Sequence, residues 1–131
     1  MFAAGPVTWS SKKQPVVALS SCESEYIALA YTSQEAVYLS DLLSELTFPQ
    51  FPSVQMYEDN MGALQLSSTT AFSSRTKRSC TRYHFLGELV ASNKVIVSHV
   101  KTTDQLTDIF TKFLDYPKFK VILDKVINFA S

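Results

Sequence analysis

Cysteine is scarce in this chain, with Cys22 and Cys80 the two among 131 residues. Two thiols are too few to staple a secreted fold, and no C-x-x-C pair offers a zinc site, so both read as free thiols in a reducing compartment. An excess of charge of either sign is also missing. Twelve basic and twelve acidic side chains cancel, so no global field draws in a polyanion, and nucleic-acid binding needs a local patch. No apolar run approaches the roughly 18 residues of a membrane span. Residues 1–6 have neither the cationic flank nor the long apolar region of a secretory signal. No acidic residue occurs before Glu23, and no internal repeat, low-complexity tract or linker interrupts the sequence. The expectation is a soluble, intracellular protein of the cytoplasm or nucleus, with no membrane partner.

What is present suits one domain over residues 1–131. The composition is 46% hydrophobic, and a chain of this size buries about two-thirds of the surface it exposes when unfolded. Val7–Ser10 and Val16–Leu19 are β-branched or aromatic runs around Ser11–Pro15, which predicts one or two strands near a turn. Ser20 followed by Glu23 matches a capping box, so a long helix starts near Ser21. It continues through Leu29, Ala36, Leu39, Leu43 and Leu46 and stops near Phe48-Pro49, because proline disfavours helix in the residue before it. Val54–Glu58 reads as a strand and Asn60–Ser68 as a helix. The basic residues Arg75, Lys77, Arg78 and Arg82 lead into a helix through Tyr83, Phe85, Leu86, Leu89 and Val90. Asn93-Lys94 is a turn, and Val95–Val100 is the most strand-like run in the chain. Thr103 or Asp104 caps a helix through Phe110–Phe113, and Pro117 suits the first turn of a last helix through Asn128. Alternation of this kind predicts an α/β layer architecture in which helices cover a mixed sheet.

The chemistry gathers at Tyr57-Glu58-Asp59-Asn60, a strand end that opens into a helix, where open α/β sheets hold their ligands. Glu25 lies near the start of the first helix, and the Asp104–Asp108 stretch starts a late one. Carboxylates from these separate elements can converge on a divalent cation. Each also has a plainer role: Glu25 as a helix-dipole acid, Asp59 or Asp108 as a helix cap. Glu58 and Asp104 read as solvated acids and are set aside. Trp9 and Tyr57 read as core or sheet-packing residues, and His84 and His99 as structural. The basic cluster either contacts phosphates or forms a solvated helix face.

Several blocks together resemble a known family. They are Val7-Thr8-Trp9-Ser10-Ser11-Lys12-Lys13-Gln14, Val17-Ala18-Leu19-Ser20-Ser21, Glu23-x-Glu25-Tyr26-x-Ala28-Leu29, Tyr57-x-Asp59-Asn60, Ser74-Arg75-Thr76-Lys77, Arg82-Tyr83-His84-Phe85 and Asp104-Gln105-Leu106-x-Asp108-Ile109-Phe110-Thr111-Lys112. In this order and spacing the chain resembles the ribonuclease H domain at the end of copia-type retrotransposon polyproteins. The resemblance implies a ribonuclease H-like three-layer fold. It also implies cleavage of the RNA strand of RNA/DNA hybrids by four carboxylates holding two magnesium (or manganese) ions. Glu25, Asp59 and Asp108 take the places of the second, third and fourth of them.

The family's first carboxylate lies on an opening strand that precedes this sequence, so the resemblance implies a domain truncated at the N-terminus. The incomplete set is expected to weaken or abolish two-metal chemistry. What is left is a binding or interaction protein, host-adopted or effector-like, with nucleic acid, through Arg75, Lys77, Arg78 and Arg82, or another protein as its partner. The alternative is an active magnesium-dependent endonuclease. Loss of a central strand would leave backbone groups unpaired. Either Val7–Ser10 pairs with Val54–Glu58, or two chains complete one another in a homodimer. Arg78-Ser79-Cys80-Thr81 stands where the family carries a His-Ile-Asp-Ile type sequence, which makes this segment more basic.

Overall fold

A computed structural model describes residues 8, 10, 11, 13, 14, 20–46, 52–68 and 84–127. The chain divides into two compact units, one of residues 18–100 and one of residues 1–17 with 101–131. Within the described residues the protein is α/β. The candidate strands Val7–Ser10 and Val16–Leu19 lie largely outside the described residues, and Thr8 and Ser10, which are described, are not in a strand. Trp9 and the basic cluster Arg75, Lys77, Arg78 and Arg82 also lie outside them.

The unit of residues 18–100 begins with helix α1, Ser21–Glu45. Ser20 is extended and its hydroxyl accepts the Glu23 N–H at 3.1 Å, as a serine N-cap does. The helix ends three residues earlier than Pro49 alone requires, with the Leu46 N–H closing on the Leu42 carbonyl. Its buried stripe is Tyr26, Ile27, Leu29, Ala30 and Ser33. Of the apolar positions expected inside, Leu29 is buried, Ala36, Leu39 and Leu43 are half-buried, and Leu46 is exposed. Burial is concentrated in the N-terminal half because that half carries the residues of the core cluster shared with the sheet and the other two helices.

Strand β1, Val54–Glu58, and strand β2, Val95–His99, form a two-stranded parallel sheet in the register Val54↔Val95 to Glu58↔His99. The Val54 N–H donates to the Lys94 carbonyl and the Val100 N–H to the Glu58 carbonyl. In a parallel ladder alternate residues face one neighbour. Residues 54, 56 and 58 therefore bond to β2, and the backbone groups of Gln55 and Tyr57 face the other edge. Side chains alternate in the same rhythm. Met56 and Glu58 are buried, whereas Tyr57 is 61% exposed, so Tyr57 is not a core residue.

Between the strands run α2, Met61–Ser68, and α3, His84–Ala91. The helix α2 is capped by Asn60, not Asp59: the Asn60 Oδ1 accepts the Ala63 N–H at 3.0 Å. A side chain at Gly62 would put its Cβ 2.7 Å from the Cys22 Sγ, so glycine lets the first turns of α1 and α2 approach. The turn after α3 is a Schellman motif. Asn93 has φ 57, its N–H donates to the Val90 carbonyl, and the Lys94 N–H donates to the Leu89 carbonyl. The core is Tyr26, Ile27, Leu29, Ala30, Met56, Ala63, Leu86 and Val95. Ser33 is buried among them and donates to the Leu29 carbonyl, with the Met56 sulfur 3.2 Å away.

In the other unit a 3-10 turn spans Thr102–Asp104, and the short helix α4 spans Asp108–Thr111. Neither Thr103 nor Asp104 caps that helix. The Asp104 N–H closes the tight turn on the Lys101 carbonyl, the chain extends at Gln105, and α4 starts only after Thr107. The last helix, α5, is Tyr116–Ile127 with Pro117 in its first turn. Among the described residues of this unit, Asp108 and Ile122 are the buried ones.

Candidate metal centre

Three carboxylates meet where β1 ends: Glu25 from the start of α1, Glu58 as the last residue of β1, and Asp59 directly after it. One oxygen from each lies within 4.8 Å of the others. Local structure sets each position. The Ser20 cap fixes the first turn of α1 and so the direction of Glu25. The pleat turns Glu58 to the same face as Met56, and the Asn60 cap fixes the chain just beyond Asp59.

Glu58 is 5% exposed, and its Oε1 accepts the Asn60 N–H at 2.9 Å. Its carboxyl is pushed up to about 7, first by burial, then by the nearby charges of Glu25 and Asp59 and a side-chain hydrogen bond with Asp59; the Asn60 N–H opposes this. Glu58 is therefore a proton-holding carboxyl near neutral pH. The Cys22 thiol is also raised, by burial first and then by the charges of Glu58 and Glu23.

Glu25 and Asp59 are brought together as the sequence suggests. Glu58 was set aside as a solvated acid, and the structure corrects this. The signal for it was present: in a half-buried strand Val54, Met56 and Glu58 share one face, and Met56 is apolar.

Asp108 lies in the other unit and has a different environment. It is 3% exposed. Its Oδ1 is 2.9 Å from the Lys112 Nζ and its Oδ2 3.6 Å from the Lys118 Nζ, and Oδ2 has no hydrogen bond. Asp104 is exposed and lies 3.6 Å from the Lys125 Nζ, as suits a solvated acid. His99 is exposed at the end of β2, in register with Glu58.

The donor set at β1 is all oxygen, which fits a hard cation such as magnesium or manganese. A divalent charge would also relieve the crowding that holds a proton on Glu58.

The sequence is 40% identical over 121 residues to the retrovirus-related Pol polyprotein from transposon RE1 of Arabidopsis thaliana. It is 35% identical over 125 residues to that from transposon TNT 1-94 of Nicotiana tabacum. These alignments take in 92% and 95% of the chain but 8% and 9% of the polyproteins. The chain is thus similar to one short region of much longer proteins. It is also 61% identical over 36 residues, 28% of the chain, to a quarter of the secreted RxLR effector protein 161 of Plasmopara viticola. No family model matches the sequence, and no solved structure matches it. No helix among the described residues is long and apolar enough to cross a membrane.

Proposed function

We propose that this chain is a transposon-derived, ribonuclease H-like domain that binds a divalent cation at Glu25, Glu58 and Asp59 and binds nucleic acid, with weak or no hydrolysis. The observation that carries the reading is the meeting of three carboxylate oxygens within 4.8 Å at the end of β1. The similarity to Pol polyproteins supports the origin, and the family resemblance makes an RNA/DNA hybrid the natural ligand. Arg75, Lys77, Arg78 and Arg82 would supply the phosphate contacts. A bound divalent cation would neutralise phosphate oxygens and acidify a coordinated water. The chain's own part is positional: the Ser20 cap directs Glu25, and the Asn60 N–H holds Glu58.

Weak hydrolysis is favoured by Asp108. The fourth carboxylate of the resemblance already has lysine partners at 2.9 and 3.6 Å, so its charge is met without a cation. A second reading has one observation behind it: the 61% identity over 36 residues to a secreted effector favours an effector-like role.

The test measures manganese binding and cleavage of a labelled RNA/DNA hybrid for wild type and Asp59→Asn. Wild type is expected to bind manganese, the variant to bind it at least about tenfold more weakly, and neither to cleave above background. Cleavage that disappears with Asp59→Asn would replace this reading with an active nuclease. Absence of manganese binding would remove the cation site. Hybrid binding that falls with salt and weakens when Arg75, Lys77 and Arg78 become Ala supports nucleic acid as the ligand. No hybrid binding at all would leave the effector-like role.

A further inference from the structure

The even charge balance of the chain is not shared by its two units. Residues 18–100 carry eight acids against five bases, with Arg75, Lys77, Arg78 and Arg82 counted, whereas residues 1–17 with 101–131 carry seven lysines against four aspartates. The second unit is the cationic one. Three of its lysines fall within residues 110–120, Phe-Thr-Lys-Phe-Leu-Asp-Tyr-Pro-Lys-Phe-Lys, where four aromatic residues are interleaved with them and Asp115 is the one acid.

The fold puts that composition on the surface. Phe110 lies in α4, Phe113 in the link that follows, and Tyr116 and Phe119 in α5, three residues apart and so on one side of it. All four are exposed, Phe113 fully. A single exposed apolar residue needs no explanation, but a cluster of aromatic ones marks a binding surface. Lys120, four residues after Tyr116, shares its side of the helix, is exposed and takes part in none of the described ion pairs. Lys112 and Lys118 bracket the link, and both reach the Asp108 carboxylate. One carboxylate between two ammonium groups leaves a positive charge over at this place.

We propose that residues 110–120 form a surface for single-stranded nucleic acid, on which bases stack against Phe113, Tyr116 and Phe119 while phosphates meet Lys112, Lys118 and Lys120. Unpaired bases offer flat faces to aromatic side chains, and cations beside those side chains follow the backbone. The composition disfavours other occupants. Lysine is depleted at protein–protein interfaces. A helix that lies on a bilayer needs its apolar face free, and Ile122, Leu123 and Val126 of α5 are buried or half-buried. A duplex keeps its bases stacked inside, so this surface prefers single strands to the RNA/DNA hybrid. None of its residues belongs to the cation site or to the basic cluster of Arg75 to Arg82, so it and the proposed function can fail separately.

Fluorescence anisotropy of a labelled oligothymidylate of about 15 nucleotides, titrated with the full chain, tests it. Wild type is expected to bind, more weakly as salt rises. Phe113→Ala with Tyr116→Ala should weaken that binding by at least about tenfold while leaving the RNA/DNA hybrid within about twofold of wild type. Lys120→Glu should weaken it in the same direction, which covers the case in which the double variant does not fold. Absence of oligothymidylate binding at low salt would overturn the proposal, as would binding that both changes leave untouched in chains whose circular dichroism is native. An equal loss toward the hybrid would overturn the preference for single strands. Capture by phosphatidylserine vesicles in place of the oligonucleotide would make the surface a membrane contact instead.

Discussion

Glu58 and Asp108 are both buried carboxylates, at 5% and 3% exposure, and they are accommodated in opposite ways. Asp108 meets cations, with Lys112 and Lys118 close to its two oxygens. Glu58 meets more anions, Glu25 and Asp59, and holds a proton up to about pH 7. Burial of a charge without compensation is costly enough that a group either pairs or neutralises. The difference shows that burial alone does not set the fate of an acid: the Asp108 carboxylate lies beside lysines, whereas Glu58 is crowded by two further carboxylates and its proton is held more tightly than usual.

The largest test of the contrast removes the cations from Asp108. Lys112→Met with Lys118→Met leaves that carboxylate buried and unpaired, and should destabilise the protein by about 2 kcal/mol. This is below the 3–5 kcal/mol typical of a broken buried pair because both lysines are partly exposed. The midpoint of urea unfolding measures it. An unchanged midpoint would mean that the lysines contribute nothing to holding the charge.

Next in size is the close approach that brings the Glu58 site together. Gly62→Ala forces a Cβ to within 2.7 Å of the Cys22 sulfur and 3.2 Å of the Asn60 Oδ1. It should cost about 1–2 kcal/mol. Adding Cys22→Ala removes the shorter contact and should recover most of the loss in a double-mutant cycle. Full additivity of the two changes would show that the helices do not meet there as described.

The smallest effect lies on Glu58 itself. Its folded value, about 7, is above its ordinary 4.5, so the folded state holds the proton more tightly than the unfolded state. The stability this contributes is complete below pH 4.5 and is lost as pH rises through 7. Glu58→Gln keeps an oxygen for the Asn60 N–H and carries no charge. It should unfold like wild type near pH 4 and be more stable at pH 8, by on the order of 1 kcal/mol after discounting for solvent screening. Urea unfolding at the two pH values measures it, and added manganese should shrink the gap by stabilising wild type alone. A gap of the opposite sign would mean that Glu58 is stabilised as the anion.

Much of the secondary structure was legible because its signals are local. Ser20 and Glu23 mark a helix start, Asn93 suits the left-handed residue of a helix stop, and alternating Val54, Met56 and Glu58 mark a half-buried strand. The resemblance singled out Glu25 and Asp59 as two members of the carboxylate group. Asp59 was a reasonable cap by residue type, but Asn60 takes that role because the helix begins one residue later. Tyr57 reads as core or sheet-packing, and the pleat turns it outward, away from the core. Glu58 looked solvated by charge, yet the same pleat turns it inward.

The sequence by itself determined which stretches form the principal helices and strands and where α1 begins, since caps, prolines and periodicity act over a few residues of backbone. Only the tertiary structure decided what became of the charges. Whether an acid titrates normally, holds a proton or pairs with lysine depends on burial and on groups brought from distant positions. Glu25 and Glu58 are neighbours in space through the packing of α1 on β1, and Asp108 reaches Lys118 only through the placement of α5 beside α4. Electrostatic energy depends on those separations and on the water excluded between the groups, and neither is a property of any one stretch of chain.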